Sequence, residues 1–172
     1  MRGVLLWLGF ALVKLGAASL PPADALEVVT QALAYRTAAA HGDADRFLAL
    51  THPSLHTLFG GKEPFEAATR LALKTLVGKN SLPTECKFTA PRSVFPLGAE
   101  ELCFVPFIQT AAAGEVRTRT TSYYLAVRTV GASTWKFLDA AGLRKHPELL
   151  AQLFPGLPKD AVPPPNKVEI LK

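Results

Sequence analysis

The chain has 172 residues, 49% of them hydrophobic, with 19 basic and 14 acidic side chains and a formal net charge of +5. That length allows one domain with a real core. No run of Lys or Arg concentrates the charge, so neither a basic stripe nor a nucleic-acid partner is expected.

The chain opens with MRGVLLWLGFALVKLGAAS. Arg2 precedes an apolar stretch of roughly ten residues, Val4 to Val13, and small residues follow at Gly16, Ala17 and Ala18, the layout of a secretory signal peptide. The stretch is well short of the about twenty residues that span a bilayer, and Lys14 interrupts it, so no stable membrane anchor is expected. Cleavage is placed after Ala18, with ADA (23–25) as a second, more distant candidate. No cysteine near the exit offers a lipid attachment point. The expected organisation is a signal peptide over 1–18, one folded domain over 19–155 and a Pro-rich tail over 156–172, in a secreted or periplasmic protein. Without Arg2 and Lys14 the remaining 17 basic and 14 acidic residues leave a charge of +3.

Helices come first. Asp24 followed by Glu27 predicts a capping-box start, and Val28, Val29, Ala32, Leu33 and Tyr35 recur at helical spacing. Gly42 closes that helix and Asp43 caps the next, a short one lined by Phe47, Leu48 and Leu50 and ended by Pro53. After the FGGKEP turn, Pro64 suits a first helical position. A third helix then carries Phe65, Ala68, Ala72 and Leu76 on one face and stops at Gly78.

The period then changes to two. CKFTA, ELCFVPFIQT, VRTRTTSYYLAVRTV and TWKFLDA are β-branched and aromatic, separated by PLGAEE, AAAGE and GAS. Pro106 predicts an edge position or a bulge. A hairpin centred on PLGAEE places Cys103 opposite Val94 and Cys86 opposite Ala111. The two cysteines are then about eight residues out of register, too far for a disulfide, which needs α-carbons within about 7 Å. Trp135 and Phe137 should face the helices, with Asp139 emerging at the rim of the same face. A short helix from Pro147 buries Leu149, Leu150, Leu153 and Phe154. The tail beyond it is extended and packs along the surface or frays.

Helices followed by a meander of long, bent antiparallel strands predict an α+β layer. The order of elements and the strings GDADRFLALTHP, GGKE, FVP and SYYLAVRTVGASTWKFLDA resemble the nuclear-transport-factor-2-like superfamily, which includes ketosteroid isomerase, scytalone dehydratase and polyketide cyclases, and in particular its small secreted bacterial members. Ala140 stands where those members carry glycine. The resemblance implies a cone-shaped, curved sheet wrapped around the N-terminal helices, a small apolar ligand in the cone and a homodimer through the exposed sheet. It implies a fold more than an activity.

Chemistry is thinly signalled. His52 and His56 have helical ligand spacing, but Pro53 lies between them and no third ligand is near, so no metal is expected. There is no Gly-x-Ser-x-Gly elbow, Cys103 sits in an apolar strand, and the glycines lack phosphate-loop spacing, so no cofactor is expected. Arg117 and Arg119 share a strand face from which Arg128 is turned away, as on a solvated sheet. Asp139 with Tyr123 or Tyr124 is the one acid–base candidate, able to move a proton beside a phenol donor. The competing reading makes Asp139 a turn-forming residue with an ordinary or lowered pKa. The expectation is therefore a non-catalytic module that binds a small ligand or a partner; the alternative is an isomerase, dehydratase or cyclase using Asp139 and a tyrosine.

Overall fold

The computed structural model describes residues 16–78, 85–113 and 116–171. Most of the expected signal peptide, and the tip of the AAAGE turn, lie outside them. Helix α1 (Pro22–His41) opens on prolines, whose missing N–H costs nothing in a first turn. Asp24 therefore sits inside the first turn rather than capping it, and its carboxylate has another task. At the other end Gly42 takes φ 69°, the left-handed conformation a helix stop favours. Asp43 then caps α2 (Ala44–Leu50), its side chain accepting from the Arg46 N–H at 3.1 Å.

One extra turn of helix, α3 (Leu55–Leu58), precedes α4 (Lys62–Gly78). The buried stripe of α4 is not the expected one. Phe65 and Leu73 are buried, whereas Ala68, Ala72 and Leu76 are exposed. Only one edge of α4 meets α1, α2 and α3, so the alanine side is left to solvent.

Seven strands form an antiparallel sheet: β1 (Ala18–Ser19), β2 (Glu85–Phe88), β3 (Ser93–Leu97), β4 (Glu100–Ala113), β5 (Val116–Thr129), β6 (Lys136–Asp139) and β7 (Lys167–Leu171). Its spine is the β4–β5 hairpin. β2 and β3 share the far edge of β4, while β6 and β7 share the far edge of β5. The expected single strand before PLGAEE is thus two. The break shifts the pairing by two residues, so Cys86 lies opposite Gln109 rather than Ala111. Both cysteines are free thiols, as the register argument required. Pro106 falls beside that break. Its carbonyl accepts from the Thr89 N–H at 2.8 Å, so the donor it lacks faces the point where β2 ends.

The sheet is covered on both faces. Val28, Ala32 and Tyr35 of α1 pack on Cys103, Val105, Phe107, Tyr124, Ala126, Trp135 and Phe137, which define the inner face. Trp135 and Phe137 have no exposed surface, and each contributes on the order of 2–3 kcal/mol. The outer face, with Leu102, Phe104, Tyr123, Leu125, Val127 and Leu138, is covered by Phe154 and Ala161 and by leucines around α5 (Glu148–Leu153). The segment after 156 therefore joins the core at Ala161 and the sheet at β7.

Polar ties fix α1 on the sheet. Arg128 of β5 donates to Asp24 at 2.5 Å and to Glu101 at 2.6 Å, with its guanidinium 4.3 Å from the Trp135 ring centre. Gln31 accepts from the Trp135 N–H at 2.8 Å and donates to the Ser133 carbonyl at 2.9 Å. These contacts distinguish chains that begin at the two expected positions, Ser19 and Leu26. A chain beginning at Ser19 keeps buried Leu20 and the Asp24–Arg128 pair and should match the urea midpoint of one beginning at Gly16. A chain beginning at Leu26 loses both and should be less stable by about 3 kcal/mol or more; equal midpoints would show that the Asp24 tie contributes nothing.

Candidate functional site

Aromatic rings fill part of the inner face and leave the rest open. Tyr35 stacks on Phe47 and Phe137, with centroids 4.4 and 5.4 Å away, and Tyr124 meets it edge-on at 5.3 Å. Phe107 closes on Tyr124 at 4.9 Å. Beyond these rings lies a solvent-open pocket of about 510 Å³. One wall is a stripe of α1 that includes Leu33, Arg36 and Ala40. Facing it are inward residues of the long hairpin, Phe107, Gln109, Ser122 and Tyr124. Asp139 at the end of β6 and Arg144 complete it, with Leu76 reaching in from α4.

The strand register explains which candidates meet. Tyr124 is paired with Asp139 across β5 and β6, so both side chains project on the inner face. Tyr123 projects oppositely and packs edge-on against Phe104 at 5.4 Å on the outer face. Of the two tyrosines, only Tyr124 stands beside Asp139.

Asp139 performs the turn-forming role expected of it. Its Oδ1 accepts from the Ala141 N–H at 2.7 Å and caps the 3-10 helix Ala140–Arg144. Its titration is the reverse of the expected one. Burial pushes the carboxyl pKa upward, and the Ala141 N–H, Arg144 and Arg36 pull it back without cancelling that push. The residue's outward surface still meets pocket water, so the push is milder than full enclosure would impose. Burial also raises the Tyr124 hydroxyl, with Asp139 adding to the effect. Tyr124 is thus a neutral donor at physiological pH.

Residues without a sequence motif supply the rest. Arg36 donates to Gln109 Oε1 at 2.7 Å and lies within hydrogen-bonding reach of Tyr124. Ser122 donates to Asn166 Oδ1 at 3.0 Å, and Asn166 donates onward to the Ala140 carbonyl at 2.6 Å. That side chain bridges the gap along β5 between β6 and β7. Arg36 had a signal: with Leu33, Thr37 and Ala40 it forms an i, i+3, i+4, i+7 stripe beside the buried one. Arg144 and Gln109 had none.

The other polar residues lie elsewhere. His52 is buried, its Nδ1 accepting from the Ser54 N–H at 3.3 Å and its Nε2 standing 3.5 Å from Glu100. Burial lowers its pKa; Glu100 opposes this, while His56 and Lys136 add to it. His56 instead packs on Phe65, at 5.3 Å. No three His, Cys, Asp or Glu side chains come together as metal ligands among the described residues. A smaller hollow of about 310 Å³ beside α2 and α4 is lined by two ion pairs, Arg70 with Asp45 at 2.7 Å and Lys62 with Glu66 at 3.7 Å, and by Lys136, whose ammonium donates to the Ala49 carbonyl. Arg117 and Arg119 are exposed on the outer face. No protein-family model, curated protein or solved structure matches this chain.

Two titrations test these environments. A carboxyl with a raised folded pKa contributes stability that is complete below its ordinary value of 3.8 and is lost as pH rises through the folded value. Asp139→Asn keeps an oxygen for the Ala141 N–H and should be at least as stable as the natural chain at pH 7. Asp139→Ala lacks that acceptor and should fall about 1 kcal/mol below the Asn variant. A markedly weaker Asn variant in urea at pH 7 would contradict the upward shift.

His52 runs the other way. Its lowered pKa gives stability that is present above the ordinary value of 6.5 and is lost as pH falls through the folded value. His52→Gln should flatten the acid limb of the stability–pH curve, and an unchanged limb would place that sensitivity elsewhere.

Proposed function

We propose that this chain is a small-ligand-binding module on a cone-shaped framework of the nuclear-transport-factor-2-like kind, exported before it folds and working outside the cytoplasm. One observation carries the binding assignment. Arg36, Tyr124 and Asp139 converge in an open pocket of about 510 Å³ that also presents Leu33, Phe107 and Leu76. Mostly apolar walls with a few convergent polar groups are what a small-molecule site requires. The order of elements, helices first and then a long hairpin with their apolar side against its inner face, supports the framework.

The test is to fill the pocket. Ala40 lines it from α1, so Ala40→Trp should occupy the space while leaving the core rings in place. Small amphiphiles titrated into the ¹⁵N-labelled protein should shift backbone amides of Leu33–His41 and Thr120–Tyr124, and the Trp variant should abolish those shifts. Shifts that persist in the variant would place binding elsewhere.

A second reading rests on the Asp139–Tyr124 pair. A carboxyl with a raised pKa beside a neutral phenol can take a proton α to a carbonyl while the phenol donates to the oxygen. Under this reading cyclohexanone in D₂O should exchange its α-protons in the presence of the protein, and Asp139→Asn should stop the exchange. Amphiphile binding without exchange leaves the binding module alone.

A further inference from the structure

The charges that meet in the pocket do not balance. Asp139 supplies one negative charge, and one of its oxygens is committed to the Ala141 N–H. Two guanidinium groups face it from different elements, Arg36 on α1 and Arg144 on the 3-10 helix, and both act on its titration. Arg36 bonds the neutral amide of Gln109. Neither arginine lies within ion-pair distance of a carboxylate among the described residues, unlike Arg128, Arg70 and their partners. His41 at the rim adds no negative charge. The lining is therefore one anion short.

Planar guanidinium forks match a carboxylate's two oxygens. A dianionic phosphate would overshoot the balance and meet Asp139 with twice the repulsion, while an ammonium group would face two like charges. Beside the arginines, Leu33, Phe107 and Leu76 offer apolar surface to the rest of a ligand. We propose that the pocket takes a small amphipathic monocarboxylate, its head paired with Arg36 and Arg144 and its apolar body lying along Leu33, Phe107 and Leu76. This assignment rests on the small-ligand reading above and narrows it to one chemical class.

Three probes of equal chain length separate the two levels: octanoate, octan-1-ol and octylamine, each titrated into the ¹⁵N-labelled full chain at pH 7. Octanoate should shift the α1 and β5 amides at about one-tenth the concentration octan-1-ol needs, the ratio expected when charge-assisted hydrogen bonds are added to the same apolar contact. Arg144→Met, at an exposed position, should remove most of that preference, weakening octanoate far more than octan-1-ol; Arg36→Met should do the same. Equal affinity for octanoate and octan-1-ol at those amides would overturn the carboxylate assignment and leave the pocket standing. Tighter octylamine binding would overturn it in favour of Asp139 as the anchor. No shift at those amides with any probe would overturn the small-ligand reading, and this assignment with it.

Discussion

The fourteen-residue antiparallel ladder between β4 and β5 is the constraint on which the rest of the molecule depends. Both of its edges carry further strands and both of its faces carry cover, so its register decides what every other element meets. The side-chain period is two, and a slip of one residue would exchange the faces. With β4 held in place, Tyr124 and Ala126 would then leave α1, and Tyr123 and Leu125 would take their place. Both faces are buried, so the exchange would mispack two fitted layers at once, and this keeps Tyr124 on the side of Asp139.

Arginines serve two different ends on the inner face. Arg128 is held by two carboxylates and an indole, with its side chain only 9% exposed. It ties the first turn of α1 to neighbouring strands, and losing a partner would strand a buried charge. Arg36 and Arg144 border open space near a single carboxylate, Asp139, with which neither forms an ion pair. The first arrangement is closed and holds the fold; the second leaves two guanidinium groups without carboxylate partners among the described residues, beside open space.

Much of the fold was legible because local chemistry and periodicity agreed. Gly42 and Asp43 marked the boundary between α1 and α2, and alternation placed Trp135 and Phe137 against the helices. Where local signals were silent, the reading failed. The α4 stripe depended on which neighbours the helix meets, which spacing alone does not specify. The break between β2 and β3 moved Cys86 by two positions, and β7 formed from a segment whose prolines had signalled only extension. The candidate site was half legible. Asp139 stood out by ending an aromatic face, but choosing between Tyr123 and Tyr124 required the pairing with β6. Arg36, Gln109 and Arg144 come from three distant segments, and no window of sequence shows them together. The pKa of Asp139 was misjudged for the same reason, since the surroundings that crowd it are non-local.

The ties between α1 and the later strands have a kinetic corollary. The Arg128–Asp24 and Trp135–Gln31 hydrogen bonds each join residues 104 positions apart. Closing loops of that length costs chain entropy before any contact is gained, and topologies dominated by such closures fold slowly. The β4–β5 hairpin can form early because its turn is short. The pocket cannot, because one wall comes from the first helix and its carboxylate from a strand made near the end. A pocket assembled this way exists only once α1 and β6 have both docked on the hairpin, so the groups that line it report on the joining of the two ends of the fold.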